Sequence, residues 1–394
     1  MRILIITSHP IQYNAPLFAY LTKHSSYSVK VLYTLGDSLN SMVDNGFGII
    51  ENWNINLLIG YNFEFIHNSS SNPSSLKYGG IKNPTLIKKI KAYSPQGIIV
   101  YGWKHQSHLS VLRYFHGEIP ILFRGDSTSL NDKPGFSFLS IIRYAFLKQV
   151  YKKVDYVLSP GSASDQYFLK SGLFNNQIIR AEHAIDNDRF MSMSTQEHND
   201  LLALKDVLSV KLNEIIFLFA GKFIDIKNPL LLIDAFFKLK QEKENTRLLL
   251  IGNGILESAI KEKISLLPLD VASSITLLPF QDQQQMKLYY RVADVFVLPS
   301  RSETWGLSVN EALACSTPVI VSDKCGCSKE LVKNNENGFI FKSGHVQDLS
   351  DKMKMMCCDE TRKGMESKTI DSLKSFTYQS FKEALDKIFC ECEN

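Results

Sequence analysis

Cysteine is scarce in this 394-residue chain, and none of the seven precedes Cys315. Six of them form three close pairs without the C-x-x-C spacing of a zinc site: Cys325 and Cys327, Cys357 and Cys358, Cys390 and Cys392. An odd number of cysteines fits free thiols in a reducing compartment better than a disulfide framework. We therefore assign the cysteines no role.

Long apolar runs are also missing, and no window approaches the roughly 18 consecutive apolar residues of a membrane span. The first apolar run ends at Thr7 and soon meets His9 and Pro10, so it is too short for the core of a secretory signal. We expect a buried first strand and a cytosolic protein. With 44% hydrophobic and 21% charged residues, the composition is that of a globular chain long enough for two domains.

A strong net charge is absent too, but the formal charge of +4 hides an asymmetry. Residues 1–190 carry 19 Lys and Arg against 12 Asp and Glu, whereas the remainder carries 25 against 28. A basic N-terminal half suggests an anionic partner such as a phosphorylated substrate or an acidic membrane face. We do not expect nucleic acid binding, because the excess is modest and basic residues are not interleaved with aromatic ones.

Strand-like apolar runs alternate with helical stretches in both halves of the chain, which predicts parallel sheets covered by helices on both faces. Strands are predicted at Arg2–Thr7, Ser28–Tyr33, Gly97–Tyr101, Ile119–Arg124, Tyr156–Ser159, Ile178–Ala181, Ile215–Ala220, Arg247–Ile251, Ile275–Leu278, Val295–Leu298 and Pro318–Ser322. A polar stretch, 191–213, separates the two series. We predict an α/β fold of two doubly wound Rossmann-like domains, 1–190 and 191–375, facing across a cleft, and a C-terminal helix, 376–394, packed back on the first domain.

The richest motif runs from Pro299 to Ala314, between a predicted strand and a predicted helix. Glu303 lies in the loop, and Glu311 follows eight positions later on the helix. Gly306 lies between them and allows close approach of a ligand to the backbone. A helix N-terminus attracts phosphate, and carboxylates accept hydrogen bonds from hydroxyl-rich ligands. The motif therefore predicts a site for a phosphorylated, hydroxyl-rich molecule.

Two further loops follow predicted strands in the same half. Lys222 and Lys227 flank a short loop and can compensate the charge of one diphosphate leaving group. Gly252 and Gly254 end the next strand, where they fit a simple tight turn and ligand approach equally well. Taken singly, the lysines and glutamates also fit solvated surface positions, but their placement after strands favours a role in function.

The order of these motifs resembles that of the retaining GT-B glycosyltransferases of family 4. The similarity covers residues 214–350 and includes Gly-Lys…Lys-Asn-Pro from Gly221, Ile-Gly-Asn-Gly from Ile251, Tyr-Tyr-Arg-Val-Ala-Asp-Val from Tyr289, Glu-x(7)-Glu from Glu303, and Asn-Gly-Phe from Asn337. In the N-terminal half, His9–Tyr13 and Ala184–Phe190 are similar to a branch of the same family, although the Gly-rich first loop common in the family is absent. The resemblance implies a GT-B fold and a nucleotide-sugar donor.

Carried over residue by residue, the resemblance implies that Lys227 and Lys222 contact the donor diphosphate, with Lys222 at a position that is commonly Arg. Glu311 matches the carboxylate on the ribose hydroxyls, and Glu303 matches the carboxylate beside the transferred sugar. The nucleotide, phosphates or sugar would also meet Gly252, Gly254, Phe280 and the backbone of Trp305, Gly306 and Leu307.

In the N-terminal half, the resemblance places Asp126 where the family often has a histidine after a strand. A carboxylate accepts a sugar hydroxyl but repels phosphate unless Arg124 offsets its charge. The implied reaction moves a sugar from a UDP- or GDP-sugar to a hydroxyl of a glycan or lipid-linked acceptor, with retention of configuration. The route is front-face attack, with no required cofactor, metal or protein nucleophile. The expected setting is cell-surface polysaccharide or lipopolysaccharide synthesis.

Several features keep other interpretations open. A basic amphipathic helix predicted at Phe138–Lys153 is typical of peripheral contact with an anionic membrane, but a packed helix with one wet basic face is commoner. Asp186 and Asp188 imitate a metal-binding D-x-D, and we favour Asp186 as a cap. His105 and His108 have a spacing that suits a metal, but a polar helix start is the simpler interpretation. Rival functions are a nucleotide-sugar 2-epimerase, a phosphorylase, or a degenerate scaffold that binds glycans or proteins.

Overall fold

The computed structural model describes residues 1–36, 43–44, 48–49, 56–130 and 138–391 of the chain. The chain divides into two compact units. The N-terminal unit comprises Met1–Met42, Ile55–Ala184 and Thr377–Asn394, and the C-terminal unit comprises Val43–Asn54 and Ile185–Phe376. Of the paired cysteines, Cys392 lies outside the described residues, and free thiols are found at Cys315, Cys325, Cys327, Cys357 and Cys358.

Strands and helices alternate along the described part of the first 184 residues. In chain order the elements are β1 Arg2–Thr7, α1 Ala15–His24, β2 Ser28–Tyr33, β3 Val43–Asp44, β4 Gly48–Ile49, β5 Asn62–Phe65, α2 Leu86–Tyr93, β6 Gly97–Tyr101, α3 Gln106–Phe115, β7 Ile121–Arg124, α4 Phe138–Tyr151, β8 Tyr156–Ser159, α5 Ser162–Lys170 and β9 Ile178–Arg180.

The alternation continues through the rest of the chain. The elements are α6 Asn187–Met191, α7 Thr195–Val207, β10 Ile215–Ala220, α8 Pro229–Lys240, β11 Thr246–Ile251, α9 Glu257–Ser265, α10 Leu269–Ala272, β12 Ile275–Leu278, α11 Gln283–Val292, β13 Val295–Leu298, α12 Leu307–Ala314, β14 Val319–Ser322, α13 Ser328–Leu331, β15 Gly338–Phe341, α14 Val346–Met356, α15 Asp359–Thr369 and α16 Tyr378–Glu391.

The N-terminal unit is built on a seven-stranded parallel sheet in the order β5-β2-β1-β6-β7-β8-β9. Because successive side chains of a strand point to opposite faces, β1 feeds two cores. Leu4 and Ile6 pack with α2 and α3, whereas Ile3 and Ile5 pack with α1 and α16. The sheet is therefore covered by helices on both faces.

The C-terminal unit repeats this plan with six parallel strands in the order β12-β11-β10-β13-β14-β15. Phe217 and Phe219 of β10 pack into a core that includes side chains of α8 and α14. On the following elements, α11 and α12 bury Tyr290 and Leu313. The predicted α/β fold class with two doubly wound domains is confirmed.

Seven of the eleven predicted strands have the predicted ends, the other four differ by one or two residues, and β5 and β15 were not predicted. The strand predicted from Ile119 begins at Ile121, because Pro120 has no N–H to donate to the ladder. The stretch 191–213, interpreted as a polar connection, contains the helix α7. Its signal is a capping box, in which Ser194 accepts a hydrogen bond from Glu197 N while the Glu197 carboxylate accepts one from Ser194 N.

No helix in the described part of the chain combines the length and hydrophobicity that crossing a membrane requires.

Candidate functional site

The candidate site residues of the C-terminal unit come from loops at one edge of its sheet. β10 is flanked by β11 on one side and β13 on the other, which makes this the topological switch point of the sheet. Ligands of doubly wound sheets bind beyond the carboxyl ends of the strands at such a point. The loops that leave these ends carry Lys222 and Lys227 after β10, Gly252 and Gly254 after β11, Phe280 after β12, and Glu303 after β13.

Lys227 and Glu303 lie on two of these loops and form an ion pair. Lys227 ends a short 3-10 turn that begins at Asp225, and Asn228 then takes a left-handed conformation (φ 56°) before α8 starts at Pro229. The side chains of Lys227 and Glu303 keep 24% and 16% of their surface exposed. The structure therefore brings together the lysine and the carboxylate that the sequence assigned to diphosphate and sugar. Lys222, also from the β10 loop, is half-buried and interacts with another group of the protein.

The loop that carries Glu303 is held by the loop that follows β14. Glu303 N donates to Lys324 O (3.1 Å), Gly326 N donates to Glu303 O (3.0 Å), and Cys327 N donates to Trp305 O (3.0 Å). A side chain at Gly326 would bring its Cβ within 1.9 Å of Thr304 O, so only glycine allows this approach. The loop after β14 thus fixes the backbone of Glu303, a role that was not predicted from the sequence.

Trp305 and Gly306 lead into α12. Gly306 has φ 103° and is the N-cap residue, so the helix begins at Leu307 with N–H groups that no preceding turn satisfies. The Trp305 ring is 3% exposed, and its Nε1 donates to Asn310 Oδ1 (2.9 Å). The indole is therefore a packing group, and only the backbone here can meet an anion.

Glu311 lies in the middle of α12 and is 4% exposed. Its Oε1 accepts a hydrogen bond from Gln283 Nε2 (3.2 Å), and its Oε2 accepts one from Tyr290 OH (2.9 Å). Both donors lie on α11. Their roles were not predicted, although the Tyr-Tyr-Arg motif from Tyr289 was recognised. No signal in the sequence marks these two donors, because their contact with Glu311 depends on how α11 packs against α12.

Gly252 and Gly254 have a structural reason to be glycine. A Cβ at Gly252 would stand 2.0 Å from Gly221 O, and one at Gly254 would stand 2.6 Å from Phe223 O. Phe223 N also donates to Asn253 O (2.7 Å), so the loops after β10 and β11 are in direct backbone contact. Their contact with a nucleotide stays a prediction. Phe280, at 36% exposure, presents its ring close to the end of β12.

Asp126 lies in the N-terminal unit, where it is exposed two residues beyond β7. The preceding Arg124 is buried and donates to Leu158 O (2.9 Å), to Ala181 O, and towards His183 Nδ1 (3.2 Å). Arg124 therefore ties the ends of β7, β8 and β9 together. Burial, reinforced by the Arg124 charge, holds the pKa of His183 well below its usual value, so that its imidazole is neutral.

The structure also assigns positions to Asp186, His105 and His108, the residues considered for a metal site. Asp186 is the N-cap of α6 and accepts a hydrogen bond from Arg189 N (3.2 Å), which confirms the capping interpretation. His105 is the N-cap residue of α3, and His108 is buried inside that helix. Among the described residues, no group of three or more His, Cys, Asp or Glu side chains is arranged to hold a metal ion.

Comparison with known proteins is consistent with this geometry. A family model described as glycosyl transferases group 1 matches residues 203–371. A D-inositol 3-phosphate glycosyltransferase of Segniliparus rotundus is 32% identical over 146 residues, which cover 36% of this chain and 32% of that protein. An alpha-monoglucosyldiacylglycerol synthase of Acholeplasma laidlawii is 30% identical over 152 residues, 38% of this chain and 36% of that protein. The chain thus matches about a third of the length of these curated relatives.

A solved structure extends the likeness to nearly the whole chain. Alr3699/HepE of Anabaena, in complex with UDP and glucose, matches with a TM-score of 0.72 at 16% identity. The match covers 99% of this chain and 100% of the Anabaena protein. At that identity the likeness concerns the fold, and it confirms the predicted GT-B fold class.

Proposed function

The segment 203–371 belongs to the glycosyl transferases group 1 family, and from this premise we propose that the whole protein is a retaining, nucleotide-sugar-dependent glycosyltransferase. The observation that carries the proposal is the pairing of Lys227 with Glu303 at the switch point of the C-terminal sheet. A cation and a carboxylate at that edge provide one group for a diphosphate and one for sugar hydroxyls.

The C-terminal unit is the proposed donor domain. Lys227 and Lys222 bind the diphosphate and stabilise the negative charge that develops on it as the sugar leaves. The N-terminus of α12, behind Gly306, adds backbone N–H groups. Glu311 accepts the ribose hydroxyls, and Glu303 accepts hydroxyls of the transferred sugar. Glu311, the two lysines and Glu303 thus bind the ribose, the diphosphate and the transferred sugar, in that order.

The proposed reaction needs one bond exchange on one face of the sugar. The bond between the anomeric carbon and the phosphate oxygen breaks, and the acceptor oxygen bonds to that carbon from the same side. The departing phosphate oxygen takes the acceptor proton, so the products are the glycoside and the nucleoside diphosphate. Catalysis then rests on positioning and on stabilisation of the leaving group, and this route assigns no step to a metal ion or a protein nucleophile.

UDP is the first nucleotide to test. The Anabaena protein with the same fold was solved with UDP and glucose, which supports UDP for this chain, with GDP as the other expected base. The lysines and Glu311 meet the parts that all nucleoside diphosphates share. Base selection therefore lies elsewhere, and we propose Phe280 and the Gly252–Gly254 loop as the residues that line the base.

The N-terminal unit is the proposed domain for the acceptor substrate. Its candidate binding residue is Asp126, whose carboxylate accepts a hydrogen bond from a hydroxyl of that substrate. The helix α4 supports an acceptor at a membrane surface. Phe138, Ile141, Ile142 and Phe146 are 76%, 53%, 51% and 47% exposed and follow the spacing of one helix face.

The charge of the segment 138–153 also favours contact with a membrane surface. The segment 138–153 contains four basic residues, Arg143, Lys148, Lys152 and Lys153, and no acidic one. Such a helix suits an anionic bilayer. We therefore propose a peripheral protein of the inner face of the cell membrane that glycosylates a glycan or a lipid-linked glycan for polysaccharide or lipopolysaccharide synthesis. The Acholeplasma relative, named as a synthase of monoglucosyldiacylglycerol, is compatible with a lipid acceptor.

The experiment that tests the donor proposal is calorimetric and thermal-shift binding of UDP, GDP, ADP, CMP and NAD to the full chain. A ligand that binds only the folded state raises its stability by mass action. We expect one nucleoside diphosphate to bind and NAD not to bind. Binding of none of them would contradict the donor site and favour a scaffold that binds glycans or proteins.

A further inference from the structure

Glu311 is held by a chain of side-chain hydrogen bonds that begins at Arg189. Arg189 Nη2 donates to Gln283 Oε1 (2.6 Å), and Gln283 Nε2 donates to Glu311 Oε1 (3.2 Å). Tyr290 OH donates to the other carboxylate oxygen (2.9 Å). Gln283 and Glu311 are 6% and 4% exposed. The Glu311 carboxylate is thus fixed by side chains of α6 and α11.

The orientation of the Gln283 amide follows from the chemistry of its neighbours. A guanidinium can only donate hydrogen bonds, so the amide oxygen must face Arg189. An ionised carboxylate can only accept them, so the amide nitrogen must face Glu311. The Gln283 amide satisfies both partners, whereas a glutamate there would satisfy Arg189 and repel Glu311.

Arg189 is itself fixed by the backbone around it. Its N–H donates to Asp186 Oδ1 (3.2 Å) at the cap of α6. Just beyond it, Arg291 Nη2 donates to Phe190 O and Met191 O (2.7 Å each), which ties the end of α6 to α11. The guanidinium of Arg189 also lies 4.8 Å from the centre of the Phe190 ring. Arg189 is therefore held in place at the start of this chain of hydrogen bonds, as Glu311 is at its end. We call the chain Arg189–Gln283–Glu311 the relay.

We propose that Arg189 and Gln283 are positioning residues of the donor site, which orient the Glu311 carboxylate towards the ribose hydroxyls and so give the site its preference for ribonucleotides over 2′-deoxyribonucleotides. The proposal rests on the proposed function, because it takes Glu311 as the ribose-binding group. Without Gln283 the carboxylate keeps its hydrogen bond from Tyr290 but loses the one that fixes Oε1, so its orientation towards the ribose changes while the diphosphate contact is kept. Loss of the relay therefore weakens binding of the ribonucleotide selectively.

The test compares UDP with 2′-deoxy-UDP, and GDP with 2′-deoxy-GDP, by calorimetry on the full chain. Gln283→Met and Arg189→Met each break this hydrogen-bond chain; the first keeps side-chain length, and the second keeps an unbranched apolar stem but is shorter than arginine. We expect each to weaken the ribonucleotide about 10-fold, the value of one charge-assisted hydrogen bond, and the deoxyribonucleotide less than about 2-fold. Gln285→Met is the matched control, because it makes the same change at an exposed position of the same helix and should alter neither affinity.

A double-mutant cycle distinguishes loss of the Glu311 orientation from a general loss of structure at the site. In a Glu311→Gln background, Gln283→Met is expected to have no further effect on the ribonucleotide, because the group that it orients is altered. If Gln283→Met does not fold, Gln283→Glu serves instead. It keeps the acceptor for Arg189, places a like charge against Glu311, and is expected to weaken ribonucleotide binding by more than 10-fold.

The outcomes distinguish the inference from the proposed function. If no nucleotide of the binding panel binds the wild-type chain, the proposed function fails, and the inference fails with it. If one binds, but the two relay variants leave the preference for ribose unchanged, the inference alone is overturned. Equal weakening of ribonucleotide and deoxyribonucleotide would also overturn it, because that result indicates a purely structural role.

Discussion

Lys227 and Glu303, 76 positions apart in the chain, form an ion pair that joins the loop after β10 to the loop after β13. Both side chains are only partly buried, so solvent screens the pair and a stronger anion can compete for the lysine. A diphosphate carries more charge than one carboxylate. We infer that arrival of the donor transfers Lys227 from Glu303 to the phosphates, which frees Glu303 to accept sugar hydroxyls.

Truncation of Glu311 is expected to impair nucleotide binding, whereas truncation of Glu303 is expected to impair sugar transfer. Glu311→Ala should raise the Kd for the nucleotide at least 10-fold, because it removes a charged acceptor of ribose hydroxyls. Glu303→Ala should mainly lower kcat, on the order of 100-fold, because the proposed partner of Glu303 is the transferred sugar, and it should not weaken nucleotide binding, because it removes the carboxylate that competes for Lys227. Calorimetry and initial rates on both variants check this. Wild-type behaviour of both would count against the roles assigned to the pair.

Gly252 is expected to tolerate no side chain. Gly252→Ala places a Cβ 2.0 Å from Gly221 O at a φ of 151°, so the two loops must separate. We expect a loss of unfolding free energy of about 2 kcal/mol or more. The matched control is Gly364→Ala in α15, where no atom lies within 4 Å of the new Cβ. That change should stabilise the protein by up to about 1 kcal/mol. Urea denaturation compares the two, and equal stability would show that the loop contact is dispensable.

Acid should destabilise the N-terminal unit through His108. Its Nδ1 lies 2.8 Å from Gly102 O and its Nε2 lies 2.9 Å from Thr34 Oγ1. Burial, with a smaller contribution from His105, lowers the pKa of His108 from 6.5 to about 4. The unfolded chain therefore binds this proton first, and the contribution of His108 is complete above pH 6.5 and is lost as the pH falls towards 4.

His108→Gln should reduce this pH dependence. Between about pH 7 and pH 5, the wild-type chain is expected to lose about 2 kcal/mol more unfolding free energy than the variant, measured by urea denaturation at both values. His116→Gln changes an exposed histidine and serves as the control. A variant that loses as much stability on acidification as the wild type would contradict the neutral state of His108.

The exposed face of α4 is expected to bind anionic membranes. Co-sedimentation with phosphatidylcholine vesicles that contain phosphatidylglycerol should exceed that with phosphatidylcholine alone and should fall at high salt. The double change of Ile141 and Ile142 to serine should weaken binding several-fold, because it removes apolar surface from the bilayer contact. Changing the exposed Leu202 and Val207 of α7 to serine is the control. If both double variants bind equally well, α4 is not the membrane-binding surface.

Much of this fold is encoded in local pattern. Buried parallel strands are continuous apolar runs such as Ile215–Ala220, and they are predictable because both of their faces are covered. Lys227 and Glu303 were found because each lies in a loop that follows a strand, and Glu311 because it lies eight positions after Glu303 on the helix that follows. The structure shows where they lie, and their chemical roles stay proposals.

What pattern could not predict are the pairings that tertiary structure creates. Gln283 gives no sign in sequence that it bridges Arg189 and Glu311, because hydrogen bonds between helices depend on packing and not on spacing. The role of Gly326 is similarly hidden, since the carbonyl that requires it belongs to Thr304, in another loop. α7 is a different case, because its capping box was visible and the polar composition around it was given too much weight.

The central claim is that Lys227 acts on the donor diphosphate, and the most direct measurement is release of nucleoside diphosphate from UDP- and GDP-sugars. Wild type, Lys227→Met and Lys261→Met are compared, the last removing an exposed lysine of α9 from the same unit. We expect Lys261→Met to equal wild type, whereas Lys227→Met is expected to bind the donor at least 10-fold more weakly and to release nucleoside diphosphate about 100-fold more slowly. Equal rates for Lys227→Met and wild type would contradict the central claim.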